Sequence, residues 1–95
     1  MHHELKILPP YFEAVLDGRK TFEIRKDDRG FQAGDTVTLR EYDPGHKGYY
    51  RSEEDTYTKR KHEATIGYVT AYEQQHGWVV FALVSNNEVR GASDE

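Results

Sequence analysis

Residues 3–26 read "HELKILPPYFEAVLDGRKTFEIRK", a strand pattern, a helix pattern and a second strand pattern in succession. In "HELKIL" Leu5 and Ile7 alternate with Glu4 and Lys6, the two-residue period of a half-buried strand. Pro9 and Pro10 end it. Proline is tolerated in the first turn of a helix, so "PPYFEAVLDG" predicts a short helix with Phe12, Val15 and Leu16 on one face, closed by Gly18. About two turns of helix cannot stand alone and must pack on a sheet. "KTFEIRK" resumes the alternation, which predicts Phe22 and Ile24 inward and Thr21, Glu23 and Arg25 on the opposite face.

The remaining chain continues in strands. "DDRGFQAGD" is a loop, and "TVTLREY" places Val37 and Leu39 inside with Thr38, Arg40 and Tyr42 on the other face. "EATIGYVTAY" and "WVVFALV" predict two more strands, the second apolar on both faces and therefore the most buried. Residues 43–60 carry no apolar period and read as one long loop, and residues 85–95, "SNNEVRGASDE" included, as a flexible tail. The expectation is a single mainly β (α+β) domain over residues 1–84, with one short helix after the first strand. Its five or six strands would close into a small barrel, which leaves no open edge.

The chain has 95 residues, enough for one modest core. It has no cysteine, which excludes disulfides, thiolate metal sites and cysteine nucleophiles. No apolar run reaches the ~20 residues that span a bilayer, so the expectation is a soluble, cytoplasmic protein, monomeric by default. The formal charge of −4 argues against a polyanionic partner at first sight. The acidity is uneven, however. Beyond His62 the only basic residue is Arg90, against Glu63, Glu73, Glu88, Asp94 and Glu95, so the first two-thirds of the chain is balanced and can still hold a basic face.

The charges around residue 20 have a specific pattern. Gly18 permits a turn that brings helix and strand close. Lys20 supplies a flexible point charge, and Arg25 a planar fork suited to phosphate or a base edge. Glu23 lies two residues before Arg25 on the same strand face. These residues could equally be a solvated charge pattern whose exposed pairs contribute ~0–1 kcal/mol each.

"Gly18-Arg19-Lys20-Thr21-Phe22-Glu23-Ile24-Arg25" resembles the G-x-K-x-x-E-x-R signature of the ASCH (activating signal cointegrator homology) domain family, a branch of the PUA-like β-barrel superfamily. From His3 to Val84 the chain also resembles a small bacterial and phage branch of that family whose function is unassigned. The landmarks are the opening stretch, "DDRGFQAGD", "LREYDP" and "TIGYVTAY". The resemblance implies a barrel with a cleft lined by Gly18, Lys20, Glu23 and Arg25, and RNA or nucleotide binding. Some relatives hydrolyse N4-acetylcytidine with a lysine, a threonine three residues later and a distant glutamate. Here that third position is Glu23, and Thr21 points elsewhere, which departs from the hydrolytic pattern.

Other residues complete the expectation. Arg29, in the Asp27-Asp28-Arg29-Gly30 turn, could reach the cleft; Asp27 and Asp28 read as turn residues. Arg40 and Tyr42 share a face of a strand expected beside the motif strand. Glu63 or Glu73 could supply a carboxylate to Lys20, Glu63 being favoured because it opens a strand. "Tyr57-Thr58-Lys59-Arg60-Lys61-His62" interleaves aromatic and basic residues, a composition that can stack on bases and track phosphates, or can guard a strand edge.

The five histidines have no metal-ligand spacing, and there is no glycine-rich phosphate loop, so neither metal nor cofactor is expected. The sequence thus predicts an RNA- or nucleotide-binding module with Lys20, Glu23, Arg25, Arg29, Arg40 and Tyr42 at its site. The alternative is a small amidohydrolase of an acylated nucleobase, with Lys20 and Glu23 or Glu63 as its catalytic groups. A protein-interaction module is the third possibility, resting only on the acidic C-terminal third.

Overall fold

Among the described residues five strands and one helix form in the order β1 (His2–Ile7), α1 (Pro9–Leu16), β2 (Phe22–Lys26), β3 (Thr36–Tyr42), β4 (Tyr57–Thr70) and β5 (Trp78–Ser85). The computed structural model describes residues 1–44 and 56–85, so most of the predicted long loop and the predicted tail beyond Ser85 lie outside the described residues. The mainly β domain with one helix after its first strand is the architecture expected. The boundaries of β4 move: residues 57–60, expected in the loop, are its first residues, and it ends at Thr70 rather than Tyr72.

The strands lie in the order β1-β3-β4-β5-β2. β1 runs parallel to β3, Leu5 facing Leu39, and every other pairing is antiparallel. A parallel neighbour needs a crossover, and α1 with β2 supplies the intervening chain. β4 spans 14 residues and pairs with β3 through its first half and with β5 through its second. The register shifts between Ile66 and Val69, where Gly67 lets β5 approach: a Cβ there would meet Ala82 and Val84 side-chain atoms at 3.4 Å. Such irregularities bend a sheet, and this one curls into a half-barrel. β1 and β2 are its two edges.

The core fills the concave side. Leu5, Ile7, Val37, Leu39, Ala64, Ile66, Phe81 and Leu83 meet Phe12 and Val15 of α1 there, together with Phe31 from the loop after β2. Burial of each of the larger side chains contributes about 1.5–3 kcal/mol. Leu16, expected on the buried face of α1, is exposed instead. β5 alternates: Val79, Phe81 and Leu83 are buried, while Val80, Ala82 and Val84 are half-buried.

β2 is inverted relative to expectation. Glu23 is 4% exposed and faces the core beside Phe81, while Phe22 (41%) and Ile24 (49%) are exposed on the outer side. The alternation holds, but the inward face is the charged one. Both inward-facing strand carboxylates, Glu23 and Glu41, are met by cations. Glu23 has Lys20 and Arg25. Glu41, on the inward face of β3, accepts from Thr58 Oγ1 at 2.6 Å and from Arg60 Nε at 2.9 Å. Arg60 also pairs with Glu13 of α1 and lies over the Phe12 ring, so it ties the helix to the sheet. These contacts raise the Arg60 pKa still further, the Glu41 hydrogen bond most of all.

A third polar group joins β1 to the start of β3. Buried His3 hydrogen-bonds Asp35 Oδ2 at 2.9 Å and packs on the Phe31 ring. The His3 hydrogen bond, helped by the Met1 ammonium and the Gln32 N–H, holds the Asp35 carboxyl down to about 2 although burial opposes it. A depressed carboxyl stabilises the fold above its ordinary value and loses that contribution as pH falls toward its folded value. Stability should therefore decline on acidification between about pH 4 and pH 2. Asp35→Asn should flatten that limb in urea melts taken across the range. An unchanged acid limb would remove Asp35 as its source.

Candidate functional site

The end of α1 fixes where the motif begins. Gly18 takes φ +85°, a conformation costly for residues with a Cβ, and the Lys20 N–H then returns to the Ala14 carbonyl at 2.9 Å. Lys20 is thus pinned to the last turn of the helix, two residues before β2. No atom crowds the Gly18 Cβ position, so Gly18→Ala should cost only the backbone strain, about 1 kcal/mol in thermal unfolding. A neutral or stabilising result would show that the turn relaxes to another conformation.

The seam between the two edge strands is an open cleft of about 670 Å³. Glu23 forms its floor. Lys20 Nζ donates to Glu23 Oε2 at 2.5 Å and Arg25 Nε to Oε1 at 2.9 Å, so both carboxylate oxygens are held by cations. Each cation also reaches a main-chain oxygen: Lys20 Nζ the Phe22 carbonyl at 2.7 Å, and Arg25 Nη2 the Lys6 carbonyl at 2.7 Å. Arg29 Nη1 donates to the Glu4 carbonyl at 2.8 Å. Two arginines therefore bridge from β2 and its following loop to alternate carbonyls on the free edge of β1. The half-barrel is closed across this seam by side chains. Among the described residues β1 and β2 form no ladder with each other.

The walls are apolar. Phe22 and Ile24 line the cleft with Trp78, as do Leu8, just before α1, and Tyr11 of α1. All five are at least 37% exposed, an unusual concentration in so small a domain. Trp78 stands beside Lys26 through the β2–β5 pairing. The site thus combines flat or branched apolar walls with a buried carboxylate and cations aimed at oxygen acceptors.

Four of the expected site residues, Lys20, Glu23, Arg25 and Arg29, line this cleft together. Arg40 and Glu63 do not. They line a groove on the outer face of β1, β3 and β4, and Glu63 does not line the cleft that holds Lys20. Tyr42 shares that outer face and packs against Tyr57, ring centroids 5.9 Å apart. Glu73, in the turn between β4 and β5, lines neither hollow. Asp27 is a turn residue as expected, its Oδ1 accepting from the Gly30 and Phe31 N–H groups at 3.1 and 3.0 Å.

Sequence reasoning missed the apolar walls, because Phe22 and Ile24 are assigned to the core and Trp78 to core or rim. The available cue was the cluster of cations around Glu23, which supplies the partners a buried carboxylate needs. Among the described residues no group of His, Asp and Glu has the arrangement of a metal site. No described helix is long and apolar enough to cross a membrane.

Comparison with known proteins adds a family without an activity. The chain is 41% identical over 68 residues to a protein of Escherichia phage P2 described as "Uncharacterized 12.9 kDa protein in GpA 3'region". The match covers 72% of this chain but spans about half, 53%, of the phage protein. Residues 2–83, which include β1 to β4, all but the last two residues of β5 and the whole cleft, match the model described as "Domain of unknown function (DUF3850)", and the chain belongs to that family.

Proposed function

We propose that this domain is an ASCH-type, PUA-like module that binds RNA or a nucleotide in the seam cleft and acts in the cytoplasm. The observation that carries the reading is the pairing of exposed aromatic walls with an ionic floor. A nucleobase is a flat apolar ring with a polar edge. Trp78, Tyr11 and Phe22 offer faces for stacking, worth about 1–3 kcal/mol per base. Arg25, Arg29 and Lys20 already hold carbonyl oxygens, and a phosphate or base oxygen suits the same donors.

Trp78 is the only tryptophan, so its fluorescence reports the cleft. Titration with the four ribonucleoside monophosphates should quench it saturably, and Arg25→Ala should abolish the quenching. Absence of any response with all four would defeat the reading.

One observation favours the hydrolytic alternative. Lys20 Nζ and Glu23 Oε2 are in direct contact, so a base and an electrostatic stabiliser stand side by side. In that chemistry Glu23 would take a proton from water as its oxygen attacks the acyl carbon. Lys20 would stabilise the oxyanion, and Glu23 would pass that proton to the amide nitrogen as the C–N bond breaks, releasing the amine and a carboxylic acid and restoring the Glu23 carboxylate. Incubation with N4-acetylcytidine should then yield cytidine and acetate, with loss on Lys20→Ala. No turnover would leave binding as the function.

A further inference from the structure

The cleft does not end at its own mouth. Leu5, Lys6 and Arg29 line both the cleft and a second hollow of about 200 Å³. Glu4, Arg40 and Tyr57 line both that hollow and the outer groove, which is about 460 Å³. The three are one continuous path. It leaves the cleft beside Arg29, turns around the edge of β1 and runs across the outer face toward β4.

Its charge differs from that of the whole chain. Lys20, Arg25 and Lys26 stand in the cleft, and Lys6 and Arg29 at the turn. Arg40, Lys59, Arg60 and Lys61 lie beyond. Among the described residues the only Lys or Arg off the path is Arg19, which pairs with Asp17. The carboxylates along it are Glu23, already held between two cations, and Asp28, Glu4 and Glu63. Every described Lys and Arg but Arg19 thus lies on one track in a protein of formal charge −4, Arg60 being held there by Glu41 and Glu13.

Two further features indicate what the track suits. Midway along it, Lys6 lies 5.0 Å from the Tyr42 ring, Tyr42 meets Tyr57, and the Arg40 guanidinium lies 3.8 Å from the Tyr57 ring centre. Aromatic rings interleaved with cations suit unpaired bases and their phosphates. At its far end Lys59 holds φ 80°, a left-handed conformation that a residue with a side chain adopts at a cost. Lys59 and Lys61 are exposed, and neither makes an ion pair among the described residues. A path that bends around a strand edge also excludes duplex, which is stiff over about 150 base pairs.

We infer that the cleft holds one unit of a single-stranded polynucleotide, RNA or DNA, whose neighbouring nucleotides follow this path around β1 to Lys59 and Lys61. The inference rests on the cleft reading above and extends it from a nucleotide to a strand. Lys59→Gly relieves the backbone strain, so a Lys59→Gly/Lys61→Ala variant should fold at least as well as the parent.

The test compares nucleoside monophosphates with fluorescein-labelled octanucleotides of random sequence, in RNA and DNA versions, for both proteins. The octamers should bind the parent about a hundredfold more tightly than the monophosphates. The variant should lose most of that gain while keeping its monophosphate affinity. Its slope of log affinity against log salt should be shallower by about 0.7 for each lysine removed. A preference for RNA or for DNA names the polymer and supports the path in either case.

Octamers no tighter than monophosphates, or an unchanged slope, would overturn the path and leave the cleft reading standing. Equal affinity for an octamer duplex or for oligoglutamate of matching charge would also overturn it, since charge alone would then explain binding. If neither monophosphates nor octamers bind, the cleft reading fails and the path with it.

Discussion

Glu23→Ala should destabilise the domain by about 3 kcal/mol in urea unfolding at neutral pH, the low end of the cost of breaking a buried ion pair from one side. The carboxylate is almost fully enclosed and links two cations. Its removal leaves Lys20 and Arg25 facing each other with side chains only 18% and 26% exposed. Water can reach them in part, which is why the upper end of the range is not expected. Glu23→Gln keeps the shape and one acceptor oxygen and should lose roughly half as much.

A third variant separates architecture from function. Replacing Lys20, Glu23 and Arg25 together with Met, Leu and Met removes every charge at once, and such apolar substitutions of buried ion groups are often neutral. That protein should recover most of the lost stability yet bind no nucleotide. A loss below about 1 kcal/mol for Glu23→Ala would mean that Glu23 is solvated, contrary to its enclosure.

The same residue shows how much the sequence could reveal. A two-residue period divides a strand into two faces but does not state which faces inward. The usual guide, that apolar residues go inside, selects Phe22 and Ile24. It fails here because β2 is an edge strand beside an open seam, so its apolar side has a cleft to line. Lys20 and Arg25, three and two residues from Glu23, supply the compensation that allows the charged side inward.

Where strands have neighbours on both sides the guide works: Val37 and Leu39 are fully enclosed as expected. Glu41 was illegible for a different reason. Its partner Arg60 is 19 residues away, and nothing local announces the pairing. Arg40 and Tyr42 were expected beside the motif because β3 follows β2 in the chain. In the sheet, β4 and β5 separate those two strands, and strand order is a long-range property that local pattern does not encode.

Trp78→Ala should weaken nucleoside monophosphate binding by about 1–3 kcal/mol, measured by calorimetry because the variant has lost its fluorophore. The indole is 37% exposed in the cleft wall, beside Ile24 and paired across the strands with Lys26. The exposed part of the largest apolar side chain adds nothing to folding and presents a face to a ring. Trp78→Phe retains a smaller face and should restore most of the affinity. The salt dependence separates stacking from charge: Trp78 neutralises no phosphate, so its removal should shift affinity equally at all salt concentrations, with the slope intact. A changed slope would mean that the phosphates had moved, and unaltered affinity would mean that the base does not lie on this wall. Either result would return Phe22, Ile24 and Trp78 to the status of an apolar patch awaiting a protein partner, the reading in which the cations of the seam serve only to close the half-barrel.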